Sequence, residues 1–161
     1  MAKGKVIRTL RGSPLAIILS EAELRLLSNS GSFYQFNPGQ TILVPDGQDE
    51  RLFCLAQGRV AINLRMMTES GQCSGEASLE LTSPGEIFGW AAWMRQDRLA
   101  VSAQALDQVS LVALDLHKLG DTQTFLKVNQ RMLQILYGIL QEYGLCPPSI
   151  QGILEMKHLL Q

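Results

Sequence analysis

The chain has 161 residues, 46% hydrophobic and 18% charged, with a formal net charge of −1 at pH 7. That length and apolar content suit one packed globular domain and exclude an intrinsically disordered chain. The balanced charge lacks the basic excess with which proteins coat nucleic acid or acidic membranes, so only a local patch could serve either partner.

In chain order, the N-terminal "MAKGKVIRTLRGSPLAIILS" holds basic residues and then a short apolar run, Leu15 to Leu19. The run is too short for a secretory signal and far below a membrane span, which points to a cytoplasmic protein with no membrane partner. "LSEAELRLLS" predicts a short amphipathic helix whose start is fixed by Ser20 and Glu23, spaced as a capping box. From "FYQFNPGQTILV" onward, short apolar and β-branched runs are punctuated by turn signals at Asn37-Pro38-Gly39, Pro45-Asp46-Gly47, Gly58, Ser70-Gly71 and Pro84-Gly85. Such regular punctuation predicts an all-β sandwich, roll or barrel, since an α/β sheet would interpose long helices. "RVAINLRMM" sets apolar Val60, Ile62 and Leu64 against Ala61, Asn63 and Arg65, the pattern of a strand with one wet face. "TESGQCSGE" is read as the following hairpin loop, "ASLELTS" as the return strand, and Val109 to Asp115 as the last strand.

Beyond Asp121 the period becomes helical. Phe125, Val128, Met132, Ile135, Leu136, Ile139 and Tyr143 recur at three- and four-residue intervals, while Leu126, Leu133 and Leu140 broaden the apolar face. Gly144 suits a helix stop and Pro147-Pro148 prevents continuation. A last short helix is predicted over residues 149–160. The three cysteines, Cys54, Cys73 and Cys146, are odd in number and widely spaced, which argues against a disulfide framework. Cys54, within "RLFCLA", reads as a buried small hydrophobe.

In their order and spacing, "FNPGQTILVPDGQDERLFCLAQGRVAI", "LTSPGEIFGW" and "RLAVSAQALDQVSLVALD" resemble the cyclic nucleotide-binding domain of the catabolite-activator and FNR group of bacterial regulators. The resemblance runs from about Leu15 to Leu140. It implies a mainly β fold with flanking helices: a double-stranded β-helix, or jelly-roll-like β-roll, with a short N-terminal helix and a long C-terminal one. The roll and N-terminal helix would occupy residues 1–121 and the C-terminal helices residues 122–161.

The resemblance also implies a ligand site. In that family a cassette between two strands presents backbone N–H groups to a cyclic phosphate, and an arginine neutralises its charge. Gly89 matches the cassette glycine, and Ala91 and Ala92 match the small residues whose amides face the ligand. Arg98 matches the phosphate arginine, with Arg95 as a nearby alternative cation, and Leu99 opens the next strand. Trp90 stands where the family carries a glutamate that accepts from the ribose 2′-hydroxyl. A buried hydroxyl without a partner costs about 1–3 kcal/mol, so the exchange should weaken binding by roughly ten- to a hundredfold. Indole has a donor and no acceptor and cannot take the carboxylate's place.

Two functional readings remain open at this point. In one, the domain is a sensor that binds a small anionic ligand, cAMP or similar, and signals through its C-terminal helices. In the other, Trp90 and Trp93 pack into the former pocket, Arg98 pairs with Asp97 at the surface, and the roll is a ligand-free interaction module. No enzyme constellation is legible. His117 and His158 stand well apart and give no metal triad, no nucleophile–base arrangement or nucleotide fingerprint is visible, and clustered cysteines for iron–sulfur are absent. The group's winged helix-turn-helix would follow the long helix, and residues 147–161 are too few to house one, so no direct DNA binding by this chain is expected. The sequence fits either a stand-alone sensor domain or the N-terminal part of a larger protein. The broad apolar face over residues 122–143 implies a homodimer or contact with a partner protein.

Overall fold

The computed structural model describes residues 2–44, 51–67, 70–89 and 99–145. Three short helices, α1 (Ala2–Arg11), α2 (Leu15–Ile18) and α3 (Glu21–Asn29), precede eight strands. These are β1 (Gly31–Phe36), β2 (Thr41–Leu43), β3 (Leu52–Gln57), β4 (Val60–Met67), β5 (Cys73–Leu81), β6 (Ile87–Phe88), β7 (Leu99–Ala105) and β8 (Val109–Leu114). A 3-10 turn at Leu116–Lys118 leads into the long helix α4 (Thr122–Glu142). The strands form two antiparallel four-stranded sheets, in the orders β1-β8-β3-β6 and β2-β7-β4-β5. This is the expected β-roll with helices at both ends.

The two sheets differ in how they are covered, and their sequences differ accordingly. In β4 the burial alternates, with Val60, Ile62 and Leu64 buried and Arg65 exposed, because one face of its sheet meets water. In β3 and β8 the runs Leu52–Leu55 and Leu111–Leu114 are buried throughout. A strand with both faces covered loses the period-2 alternation. The second cover is the N-terminal helices: a β-carbon on Gly31 of β1 would stand 2.9 Å from Val6 Cγ1 of α1, and Lys5 lies 5.0 Å from the Phe33 ring centre. Gly31 and Phe33 with their partners Leu114 and Val112 therefore face the helices. By alternation, Tyr34, Phe53, Leu55, Phe88 and Ala113 face the interior of the roll.

The expected helix at Ser20 forms as α3. The Ser20 hydroxyl accepts from Glu23 N–H (3.2 Å) and Glu23 Oε1 accepts from Ser20 N–H (2.9 Å), completing the capping box. α4 is N-capped by Asp121, whose carboxylate accepts from Gln123 N–H (3.3 Å). It ends at Gly144, whose φ of +72° lets Leu145 N–H reach back to Leu140 O (2.7 Å), a Schellman closure with Leu145 buried behind it.

Two expectations need correction. Residues 2–11 form helix α1, which buries Val6 and Leu10, where the sequence reading saw only basic residues ahead of an apolar run. The hairpin loop after β4 is shorter than residues 68–76, because β5 begins at Cys73 and pairs with Met67 past a bulge. Cys54 is buried as expected, and desolvation pushes its thiol up to about 12. The helix predicted over residues 149–160 and the Pro147-Pro148 stop lie outside the described residues.

Candidate ligand-binding site

The candidate site is approached through the loop between β5 and β6, whose amides are already engaged. Glu86 Oε2 accepts from Thr82 N–H and Ser83 N–H, both at 2.9 Å, and Gly85 N–H donates to Leu55 O at 2.7 Å. This stretch thus serves to fasten the loop to β3, and its amides at 82, 83 and 85 are not offered to an anion. Gly85 is also wedged against the α1–α2 junction, where a β-carbon would lie 2.0 Å from Gly12 O.

β6 is a two-residue strand that pairs Phe88 with Phe53 and Ile87 with Cys54. Immediately after it the chain turns at Gly89, which has φ +101° and is buried. A β-carbon there would lie 2.8 Å from Arg51 O and 3.0 Å from Phe53 Cδ2, so only glycine fits. The chain resumes in the other sheet, where Leu99 of β7 pairs with Met66 of β4. Gly89 and Leu99 therefore mark the two ends of a crossover between the sheets. Trp90, Ala91, Ala92, Arg95, Asp97 and Arg98, like Trp93, lie outside the described residues.

Around Gly89 the structure adds residues that the sequence reading did not single out. The Phe53 and Phe88 rings stack with centroids 5.2 Å apart. The Arg51 guanidinium lies 5.3 Å from the Tyr34 ring centre and 5.4 Å from that of Phe53, and its Nη1 donates to the Tyr34 hydroxyl at 3.1 Å. Nothing in the local sequence around Arg51 signals this, since it depends on β1 and β3 both flanking β8.

A separate groove of about 770 Å³ opens on the outer face of the β2-β7-β4-β5 sheet. Among the described residues its lining includes Thr41, Asn63, Ser78, Ser102 and Gln104, with Glu80 as the one charged group. Glu80 is ion-paired with Arg59 (Nη1 to Oε2, 3.8 Å), and the described lining adds no cation of its own, so the groove offers a phosphate no compensating charge. Among the described residues no three His, Cys, Asp or Glu side chains stand together to hold a metal ion, and no helix is long and apolar enough to cross a membrane.

Residues 34–122 match the family model of the cyclic nucleotide-binding domain, over more than half of the chain. No curated protein matches the sequence. Among solved structures, the regulatory subunit of a cAMP-independent protein kinase A from Trypanosoma brucei, a triple mutant bound to cAMP in its A site, superposes with a TM-score of 0.60 at 20% identity. That match covers 83% of this chain and 47% of the other. The corresponding subunit from Trypanosoma cruzi, bound to guanosine, gives a TM-score of 0.56 at 21% identity, covering 70% of this chain and 38% of that one. The sensor domain of the transcriptional regulator DNR from Pseudomonas aeruginosa gives 0.55 at 20% identity, covering 84% and 91%. The chain thus spans about half the length, or less, of the two kinase subunits and nearly all of the sensor domain.

Proposed function

The chain belongs to the cyclic nucleotide-binding domain family, and from that premise we propose that it is a regulatory sensor domain whose ligand, a small anion of the cyclic-nucleotide type, binds at the crossover that begins at Gly89. The observation that carries this reading is the backbone at Gly89 itself. A glycine locked at φ +101°, with no space for a β-carbon, starts the one connection that leads from β6 in one sheet to β7 in the other. The family cassette occupies that place in the fold.

In this reading the amides following Gly89, including those of Ala91 and Ala92, receive the phosphate oxygens, and Arg98 supplies the compensating charge. Trp90 replaces the family's ribose-binding carboxylate with a large ring that has a donor and no acceptor. The site then favours ligands that gain from stacking over those that depend on a 2′-hydroxyl contact. That a relative of the same fold is bound to guanosine, a nucleoside without phosphate, supports a ligand range wider than cAMP.

Binding would be transmitted to the helices from residue 122 onward by differential affinity for two helix arrangements. α4 is suited to this. Thr124, Val128, Met132, Leu136 and Leu140 are buried, whereas Leu126 is 59% exposed and Phe125, Leu133 and Ile135 are half-buried. The second, incompletely covered side of α4 would serve a homodimer or a partner protein.

The test is Trp90→Glu. Restoring the carboxylate should tighten cAMP binding by roughly ten- to a hundredfold in a calorimetric titration. An unchanged isotherm, with cAMP and guanosine both silent in wild type and variant, would favour the ligand-free interaction module instead.

A further inference from the structure

We infer that the N-terminal helices form a docking surface for an anionic lipid membrane, with cations of α1 on the headgroups and Ile17 and Ile18 of α2 entering the interface. The inference stands apart from the cassette reading. A helix that lies on a membrane need not be long or apolar enough to cross it, so the absence of a crossing helix among the described residues is no obstacle.

Charge is unevenly spread along the chain. Residues 2–25 hold five basic and two acidic residues, a net of +3 in a chain of net −1, so the remainder carries −4. α1 itself has no acidic residue. Its Val6 and Leu10 are buried, and Arg8, midway between them, points about 180° away from that face. Lys5 and Arg11, three residues to either side, lie within about 60° of Arg8, and all three are exposed. Arg11 of α1 and the exposed Arg25 of α3 share one carboxylate, Glu21. Glu23 is taken by Lys127 of α4, and Arg8 has no ion-pair partner among the described residues. The outward side of α1 is thus a stripe of cations with a single carboxylate against it.

Beside this stripe stands an apolar tip. Ile17 is 82% exposed and Ile18 36%, although Leu15 and Leu19 on either side are buried. Residues 12–20 leave and return at the Arg11–Glu21 ion pair, which pins both ends of the excursion beside the cations. Ile17 and Ile18 therefore stand next to the stripe rather than elsewhere on the molecule. A nucleic acid would use the cations and leave the isoleucines in water. An anionic bilayer uses both, since its headgroups attract Lys and Arg near the surface and its interface takes up apolar side chains.

The test is co-sedimentation of the full chain with two kinds of vesicle, at low and high salt. One is phosphatidylcholine alone, the other phosphatidylcholine and phosphatidylserine in equal parts. Wild type should pellet with the mixed vesicles at low salt, release at high salt, and stay in solution with phosphatidylcholine alone. Arg8→Glu should lower the bound fraction several-fold. Ile17→Ser should do the same while keeping the salt dependence. Both side chains are exposed, so Tm should match wild type, and Arg8→Gln and Ile17→Ala carry the test if either variant does not fold. Wild type left in the supernatant at low salt, or bound equally to both vesicles, would overturn the inference. Arg8→Glu binding like wild type would overturn it too. So would a loss with Arg8→Glu and none with Ile17→Ser, which would point to an acidic macromolecule such as nucleic acid instead.

Discussion

At the scale of single residues, Gly89 and Cys54 are the positions where the physical argument is sharpest. Gly89→Ala would force a β-carbon to within 2.8 Å of Arg51 O at a backbone φ of +101°. Positive-φ strain alone costs on the order of 1–3 kcal/mol, and the clash adds to it. We expect the variant to unfold at clearly lower urea concentration, and a midpoint within error of wild type would contradict the geometry. Cys54 is fully buried and its thiol is pushed up to about 12 by desolvation, so at neutral pH it should resist a thiol reagent until the protein unfolds. Cys73 is exposed and should react in the native state, as peptide mapping would show. Both positions were legible in the sequence: Gly89 as the match to the family's cassette glycine, and Cys54 as a cysteine inside the apolar run "RLFCLA". Arg51 was not, because its significance comes from ring faces contributed by β1 and β3, which no local pattern links.

At the scale of elements, the junction between α3 and α4 turns on one carboxylate. Glu23 closes the capping box of α3 and also receives Lys127 Nζ at 3.0 and 3.1 Å and the buried Thr124 hydroxyl at 3.4 Å from α4. The Ser20 backbone N–H, and then Lys127, hold its carboxyl below the usual glutamate range. A depressed carboxyl pKa contributes stability that is present above the unfolded-state value and is lost as pH falls through the folded-state value. Glu23→Gln should therefore lower Tm at neutral pH, and the gap from wild type should close below about pH 4. A gap that stays constant across that range would contradict the assignment. The capping box was readable from Ser20 and Glu23, but the second duty of Glu23 was not, since residues 23 and 127 meet only through the fold.

α4 itself was predicted nearly to the residue, because Gly144 and the helical period are local signals. What periodicity left open was which apolar residues face the roll. Residues four apart advance by about 40° around the helix at each step, so the buried set of Thr124, Val128, Met132, Leu136 and Leu140 winds across the surface and leaves Leu126 outside it. Leu136→Ala should cost about 2–5 kcal/mol in urea unfolding, whereas Leu126→Ala should change stability little and affect only self-association or partner binding. Equal losses at the two positions would show that the burial is misassigned. α1 escaped the sequence reading because no Ser, Thr, Asp or Asn stands at the start of its sequence to signal a helix; it packs Val6 on Gly31.

At the scale of the whole molecule, the two sheets are told apart by pattern alone once the fold is known. The alternating β4 belongs to the sheet with a wet face, and the continuous runs of β3 and β8 belong to the sheet that carries the N-terminal helices. The roll was legible because turn signals separate most of the strands, and those signals are local. The ligand site was legible only as a resemblance, since a phosphate cassette is made largely of backbone amides, which leave little imprint on side-chain identity. The most direct test of the account is a calorimetric titration of the purified chain with cAMP, cGMP and guanosine, repeated with Arg98→Ala. The account predicts saturable binding of at least one cyclic nucleotide that Arg98→Ala abolishes. No heat with any of the three, at concentrations where weak binding would register, would contradict it and leave the roll as an interaction module.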